Sequence, residues 1–228
     1  MKKYGAEFIG TFALVFAGTG AIIINDVSDG AVTHVGVALT FGLIVLAMID
    51  AVGDISGAHL NPAVTIGFFA ARRLPGKVVL PYVISQLLGA VAASTVLRGL
   101  FPKHSTLGGT APAGTATQSL ILETVLTALL MFVILNVATG PKERGLTAGI
   151  TVGAVIALEA LFAGPISGAS MNPARSFGPS MVSEHFSGLW IYVVAPIAGA
   201  LFAVVGCRCV RENGCCSSIP RETEFLNS

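Results

Sequence analysis

Charged residues are scarce in this sequence. They occupy 11% of its 228 positions, and the net charge at neutral pH is only +1. A soluble domain carries charge at about a quarter of its positions. So few charged side chains cannot cover a surface that faces water, which excludes an ordinary soluble domain. No basic run and no interleaving of basic and aromatic residues is present either, so we expect no nucleic-acid partner.

The sequence also lacks the patterns that carry catalysis or hold metals. It has no HExxH or GxSxG motif, and its four histidines are scattered at positions 34, 59, 104 and 185. The four cysteines, at 207, 209, 215 and 216, match no standard zinc spacing. Reduced thiols and lipidation both remain open for them. We therefore expect no enzyme, no catalytic residue, no metal site and no cofactor.

Apolar residues, in contrast, are abundant at 54% of the chain. Six runs come close to the ~20 residues that cross a hydrocarbon core of ~30 Å. They lie at about 5–25, 33–52, 79–99, 118–138, 146–163 and 187–207. We predict an all-α membrane protein with six transmembrane helices, whose surroundings are the lipid bilayer.

The basic residues favour an orientation with both termini in the cytoplasm. Ten of the 13 Lys and Arg residues then lie on the inner side: Lys2, Lys3, Arg72, Arg73, Lys77, Lys142, Arg144, Arg208, Arg211 and Arg221. The outer three are Arg98, Lys103 and Arg175. This bias predicts a multi-pass protein of the plasma or cell membrane, with residues 213–228 as a cytoplasmic tail.

One ten-residue phrase is written twice. SGAHLNPAVT begins at 56, and SGASMNPARS begins 111 positions later, at 167. The stretch AEFIGTFALVF (6–16) has a weaker echo in LETVLTALLMF (122–132). We infer one domain over 1–212, built from repeats at about 1–105 and 118–212. Each repeat holds three spans, and because three is odd the second repeat enters the membrane inverted.

The repeated phrase opens two short helices. NPAVTIGFFAA (61–71) and NPARSFGPSMV (172–182) have eleven residues each, about 16 Å of helix, or half the core. Asn is a favoured N-cap, and Pro suits the first helical position. We expect two re-entrant half-helices that meet head to head near the midplane, with Pro179 ending the second one early.

Two opposed helix N-termini suit a neutral cargo. The amide oxygens of Asn61 and Asn172 can cap their own helices while the nitrogens donate to one central water, which then cannot readily relay a proton. Each N-terminus carries about half a positive charge. Together they would repel a cation by roughly 3 kcal/mol at ~5 Å and an effective dielectric constant of ~20. We predict passage of neutral molecules and exclusion of protons and ions.

Other classes of membrane protein share part of this pattern. Ion-coupled secondary transporters also use inverted repeats with broken helices, and this alternative stays open, although no acidic cluster near the midplane offers a coupling-ion site. A purely structural role in a junction, with a blocked pore, is a further alternative.

The twin motifs GAHLNPAVT and NPARSFGP resemble those of the major intrinsic proteins, the aquaporin and glycerol-facilitator family, and the match extends over all but the tail. The resemblance implies six tilted helices and two half-helices around a pore, in a homotetramer with one pore per subunit. It places the Asn-Pro-Ala motifs at the pore centre, as Asn61, Pro62, Ala63, Asn172, Pro173 and Ala174. It implies pore-lining carbonyls at Gly57, Ala58, His59, Gly168, Ala169 and Ser170. Glu7 and Glu123 match buried glutamates that brace the two loops.

The resemblance also indicates the range of solutes. Four positions match the outer constriction of the family: Phe41, Ala160, Ala169 and Arg175. Water-selective members typically have His where Ala160 stands, and bacterial glycerol facilitators have Asp where Ser176 stands. The stretches VATGPKERGLTAGITVGA, AGPISGASMNPARS and WIYVVAP are similar to the plant nodulin-like subgroup and its bacterial relatives. That subgroup passes water, glycerol and neutral boric, silicic or arsenous acid. A water-selective pore is the alternative, because Phe41 keeps one wall bulky.

Two further residues are left with open interpretations. His59 is as well suited to bracing its loop as to touching a solute. Glu159 precedes Ala160 by one residue on the same predicted helix, so its side chain points ~100° away from that of Ala160 around the helix axis. We expect its side chain to pack between helices or to face the vestibule.

Overall fold

The structure is a computed structural model and describes residues 1–138 and 147–210. Every regular element in these ranges is an α-helix, which confirms the predicted all-α class. The helices are α1 (Lys2–Val27), α2 (Thr33–Ser56), α3 (Pro62–Ala70), α4 (Gly76–Leu100), α5 (Ala116–Val137), α6 (Ala148–Ser167), α7 (Pro173–Ser183) and α8 (Ile191–Val210).

Six of these helices are long and apolar enough to cross a membrane, namely α1, α2, α4, α5, α6 and α8. They follow the order of the six predicted runs. Their ends lie within a few residues of the prediction, and several helices continue past the apolar stretch that identifies them. The clearest case is α6, which runs through Pro165 to Ser167 instead of ending near 163.

The two short helices lie where the repeated phrase predicts them. Asn61 and Asn172 adopt extended backbone as N-caps, with φ of −156° and −149°. The side-chain oxygen of Asn61 accepts from the N–H of Ala63 at 2.9 Å, and that of Asn172 accepts from Ala174 at 2.9 Å. Local capping therefore fixes where both half-helices begin.

The expected early end of α7 is wrong, because the helix continues through Pro179 to Ser183. Pro179 does forfeit one helical hydrogen bond. However, α7 is packed so closely on α4 that a Cβ added at Gly178 would lie 2.6 Å from the carbonyl oxygen of Ala90. Burial against α4 outweighs the lost bond.

Helices α2 and α6 cross at a pair of glycines. A Cβ at Gly42 would lie 2.5 Å from the carbonyl oxygen of Gly153, and a Cβ at Gly153 would lie 2.5 Å from that of Gly42. The two glycines are separated by the same 111 positions as Asn61 and Asn172. A reciprocal contact of equivalent residues is what a two-fold axis between inverted repeats produces.

The outer helix pairs also meet at small residues. A Cβ on Gly89 of α4 would overlap the carbonyl oxygen of Phe8 in α1, and a Cβ on Gly199 of α8 would overlap that of Thr124 in α5. Glycine at such crossings lets two backbones approach, which is how helices in a bilayer gain packing contacts. The pore is built inside this frame.

A glycine substitution tests the α1–α4 crossing. Gly89→Ala should push the helices apart and destabilise the protein by about 1–3 kcal/mol, a typical overpacking cost. Gly99→Ala is the matched control in the same helix, since nothing lies within 4 Å of a Cβ added there. We expect a lower melting temperature in detergent for Gly89→Ala alone. Equal melting temperatures for both variants would contradict the close crossing.

Candidate functional site

A cavity of about 120 Å³ lies between the two half-helices, lined by both repeats. Most of its wall is apolar, and includes Leu14, Val45 and Ile156. Ten of the predicted site residues line it: Phe41, Gly57, Ala58, His59, Asn61, Ala160, Ala169, Ser170, Asn172 and Arg175. The structure therefore brings the two distant motifs to one cavity.

The chain reaches each half-helix through an unwound loop. Gly57 and Gly168 leave α2 and α6 with left-handed φ of 87° and 84°. Non-glycine residues follow in the same region, Ala58 and Ala169 at 44° and 41° and then Leu60 and Met171 at 51° and 52°. This conformation is sparsely populated by L-residues and leaves backbone groups that no helix satisfies. At membrane depth those groups require partners.

The carboxylate of Glu7 supplies partners to the first loop. Fully buried in α1, it accepts from the backbone N–H of Leu60 at 2.8 Å and of His59 at 2.9 Å. It also accepts from the Ser56 hydroxyl at 2.7 Å. One side chain thus satisfies three donors of the loop.

The carboxylate of Glu123 does the same for the second loop. Fully buried in α5, it accepts from the backbone N–H of Met171 at 2.8 Å and of Ser170 at 2.9 Å. The Ser167 hydroxyl donates to it at 2.7 Å. The three distances match those around Glu7, so each glutamate accepts hydrogen bonds from the loop of its own repeat.

Sequence reasoning missed further braces around these loops. The Tyr82 hydroxyl donates to the carbonyl oxygen of Ser56 at 2.8 Å, and the Tyr192 hydroxyl donates to that of Ser167 at 2.7 Å. The Gln86 amide adds a bond to Glu7 at 2.8 Å. A signal for the tyrosines was present, because Tyr-Val occurs in both LPYVISQ and WIYVVAP at matching places in the repeats.

The two asparagine caps also tie the loops to each other. The Asn61 amide nitrogen donates to the carbonyl oxygen of Met171 at 2.8 Å, and the Asn172 amide nitrogen donates to that of Leu60 at 2.8 Å. The sequence analysis predicts instead that both amide nitrogens donate to a water in the cavity. An amide nitrogen has two hydrogens, so each Asn keeps one N–H beyond this cross-link.

The predicted constriction residues share the cavity wall. The guanidinium of Arg175 is 2% exposed, and its Nη1 donates to the carbonyl oxygen of Gly108 at 2.9 Å. Its central carbon lies 5.1 Å from the centroid of the Phe41 ring. Its Nε has no partner in the described part of the chain. This Nε is itself buried, so its hydrogen-bonding capacity is unmet in the described residues and it is not a contact surface for a solute.

Two other members of this cavity wall are small. Ala160 in α6 and Ala169 in the second loop present only methyl groups and are 8% and 7% exposed. Gly108, which holds Arg175, was missed in the sequence because a backbone carbonyl leaves no sign in residue type. Its φ of 68° needs glycine, and a Cβ there would lie 2.8 Å from the carbonyl oxygen of Thr19.

His59 is engaged with its own half-helix. Its Nδ1 lies 3.1 Å from the Thr65 hydroxyl, and its ring stacks on Phe68 at 4.6 Å between centroids. Those contacts favour the bracing interpretation, although the residue also lines the cavity.

Glu159 packs between helices and does not line the cavity. It is 1% exposed, and neither carboxylate oxygen has a hydrogen-bond partner among residues 1–138 and 147–210. The same ranges contain no group of three His, Cys, Asp or Glu side chains that could hold a metal ion.

Comparison with known proteins agrees with this geometry. The family model described as major intrinsic protein matches residues 1–206. The chain is 47% identical to aquaporin NIP1-1 of Oryza sativa subsp. japonica, over all of this chain and 81% of that protein. It is 44% identical to nodulin-26 of Glycine max, over 88% of this chain and 74% of that protein. The X-ray structure of the aquaglyceroporin from Plasmodium falciparum matches with a TM-score of 0.81 and 27% identity, over 91% of this chain and 93% of that one.

Substitutions of the two buried glutamates of the second repeat should have opposite effects on thermal stability. Glu123→Leu orphans two backbone N–H groups and one hydroxyl, each costing about 1–3 kcal/mol. We expect poor yield and a lower melting temperature. Glu159→Leu removes a buried carboxylate that binds nothing in the described residues, so it should match or exceed the wild-type melting temperature. Thermal melts in detergent compare the two, and an unaltered melt for Glu123→Leu would show that it does not hold the loop.

Proposed function

This chain belongs to the major intrinsic protein family and is a channel for water and small neutral solutes rather than an enzyme, and we propose that it is a passive pore that admits glycerol and small neutral hydroxylated acids while excluding protons and ions. The observation that carries the solute range is the constriction wall. Its members from α6 and the second loop, Ala160 and Ala169, are both methyl-sized.

The small side chains of this wall favour solutes larger than water. Water needs an opening of about 2.8 Å, close to an O–H···O hydrogen-bond length. An imidazole at position 160 would fill space that Ala160 leaves free. A polyol can lay its carbon backbone against Phe41 and Ala160 while its hydroxyls accept from Arg175. The likeness to an aquaglyceroporin structure supports this range, as does the identity with the NIP relatives.

The same cavity disfavours cations and proton transfer. The N-termini of α3 and α7 converge on it, and each contributes about half a positive charge. Arg175 adds a full charge on the same path. The remaining N–H groups of Asn61 and Asn172 can saturate one central water, which interrupts a chain of waters that could pass a proton.

The protein is an integral multi-pass membrane protein, and finer features of its setting are part of the proposal. We place it in the plasma or cell membrane with both termini in the cytoplasm, because basic residues concentrate on that side. We propose a homotetramer, which the family resemblance supports. The domain of residues 1–212 with its two repeats belongs to the same proposal, and its cytoplasmic tail, 213–228, lies outside the described residues.

Swelling of proteoliposomes tests the solute range. Light scattering would record water, glycerol, urea and boric acid flux in parallel, with protein-free liposomes as the reference. We expect water and at least glycerol or boric acid to exceed the lipid background. A wild-type pore that passes water and none of the three solutes would be water-selective, with Phe41 filling the space left by Ala160.

Substitution of Ala160 locates the selectivity. Ala160→His should reduce glycerol flux at least about tenfold, a barrier increase of ~1.4 kcal/mol, with a much smaller loss of water flux. Ala154→His is the matched control, since Ala154 lies on an exposed face of the same helix. The same swelling assay measures both. A glycerol flux that survives Ala160→His, or falls equally in the control, would remove Ala160 from the constriction.

A further inference from the structure

One backbone carbonyl beside the constriction loses its helical partner. Pro165 lies inside α6, four residues after Leu161. Proline has no N–H, so it cannot make the helical hydrogen bond to the carbonyl oxygen of Leu161. Leu161 directly follows Ala160, and an unpaired carbonyl in or near the bilayer requires another donor.

His34 of α2 supplies that donor. Its Nε2 lies 2.6 Å from the carbonyl oxygen of Leu161, across 127 positions of sequence. A carbonyl oxygen only accepts, so Nε2 carries the hydrogen and donates it. The bond joins the two helices that bear opposite parts of the proposed constriction, Phe41 on α2 and Ala160 on α6.

Gly164 makes room for this contact. A Cβ at Gly164 would lie 2.8 Å from Cε1 of His34, so any larger residue would displace the ring. Three neighbouring residues thus contribute to one hydrogen bond between α2 and α6. Pro165 frees the carbonyl, Gly164 admits the imidazole, and His34 donates to the freed oxygen.

The first repeat has no need for such a donor. The positions of α2 that match Leu161 and Pro165, 111 residues earlier, are Asp50 and Asp54. Asp54 keeps its N–H inside α2, so the carbonyl of Asp50 can be satisfied within the helix. A freed carbonyl with a side-chain donor therefore occurs on α6, the helix that carries Ala160, and not at the equivalent positions of α2.

We propose that His34 is a positioning residue for solute selection. By donating to the carbonyl that Pro165 frees, it ties α6 to α2 and sets the gap between Ala160 and Phe41. The inference rests on the proposed constriction at these two residues. Without the donor, the Leu161 carbonyl turns to water at the outer mouth and α6 is released from α2. The gap then widens, and larger solutes gain more than smaller ones.

The test is the ratio of erythritol to glycerol permeability in proteoliposomes, with water permeability measured on the same vesicles. His34→Ala should raise that ratio about threefold or more, since small displacements at a selective site have large effects on rate. Gly164→Ala should do the same, because it displaces a ring that is still present. His34→Gln, whose amide N–H can reach the same oxygen, should stay near the wild-type ratio.

A double substitution separates positioning from general structure. Pro165→Ala restores the helical N–H, so adding His34→Ala in that background should leave the ratio unchanged. An equal rise in both backgrounds would mean that His34 acts through something other than the freed carbonyl, and would overturn the proposal. An unaltered ratio in His34→Ala would overturn it as well. If His34→Ala does not assemble, the pair Gly164→Ala and His34→Gln carries the comparison with the same expected results.

The inference and the proposed function fail in different ways. Normal wild-type glycerol flux with an unaltered ratio in His34→Ala removes the inference alone. A wild-type channel that passes no glycerol removes the proposed solute range, and with it the role of His34.

Discussion

A backbone polar group in hydrocarbon has no water to bind, and that constraint explains most of this structure. Six helices satisfy it along their own axes, except where a proline such as Pro165 interrupts the helical hydrogen bonds. The pore needs the chain to unwind twice at membrane depth, and each unwound loop is matched by a buried carboxylate that accepts its N–H groups, Glu7 in one repeat and Glu123 in the other. The Asn61 and Asn172 side chains then close the remaining gap by capping one half-helix and donating to the opposite loop.

The function depends on the polar groups of the cavity that are not used in these bonds. Once the loops are satisfied, the side chains that line the cavity offer few polar groups beyond these bonds, namely the second N–H of each asparagine and the guanidinium of Arg175, against walls that are mostly apolar. Such a surface can replace the hydrogen bonds of a neutral hydroxylated molecule. It disfavours a cation, because the side-chain groups are donors, Arg175 is positively charged and the helix ends are positive.

The sequence predicted much of the fold because composition and local capping decide it. Apolar length identified the spans, and Asn-Pro after small residues identified the half-helices. The expected helix end at Pro179 was wrong because the packing of Gly178 on α4 outweighed the loss of one helical hydrogen bond at the proline. Other features were out of reach for a physical reason: the acceptors at Gly108, Leu60 and Met171 are backbone carbonyls, which any residue possesses. The contact of His34 with the carbonyl that Pro165 frees spans 127 positions, so only the folded structure reveals it.

The most direct test of the account compares proton flux with water flux in the same vesicles. Proteoliposomes with a trapped pH-sensitive dye would be exposed to a pH gradient, and their osmotic water permeability would be measured in parallel. The account predicts water permeability well above that of protein-free vesicles and a proton leak equal to theirs at every protein-to-lipid ratio. A proton flux that rises with the amount of protein, in step with the water permeability, would contradict it.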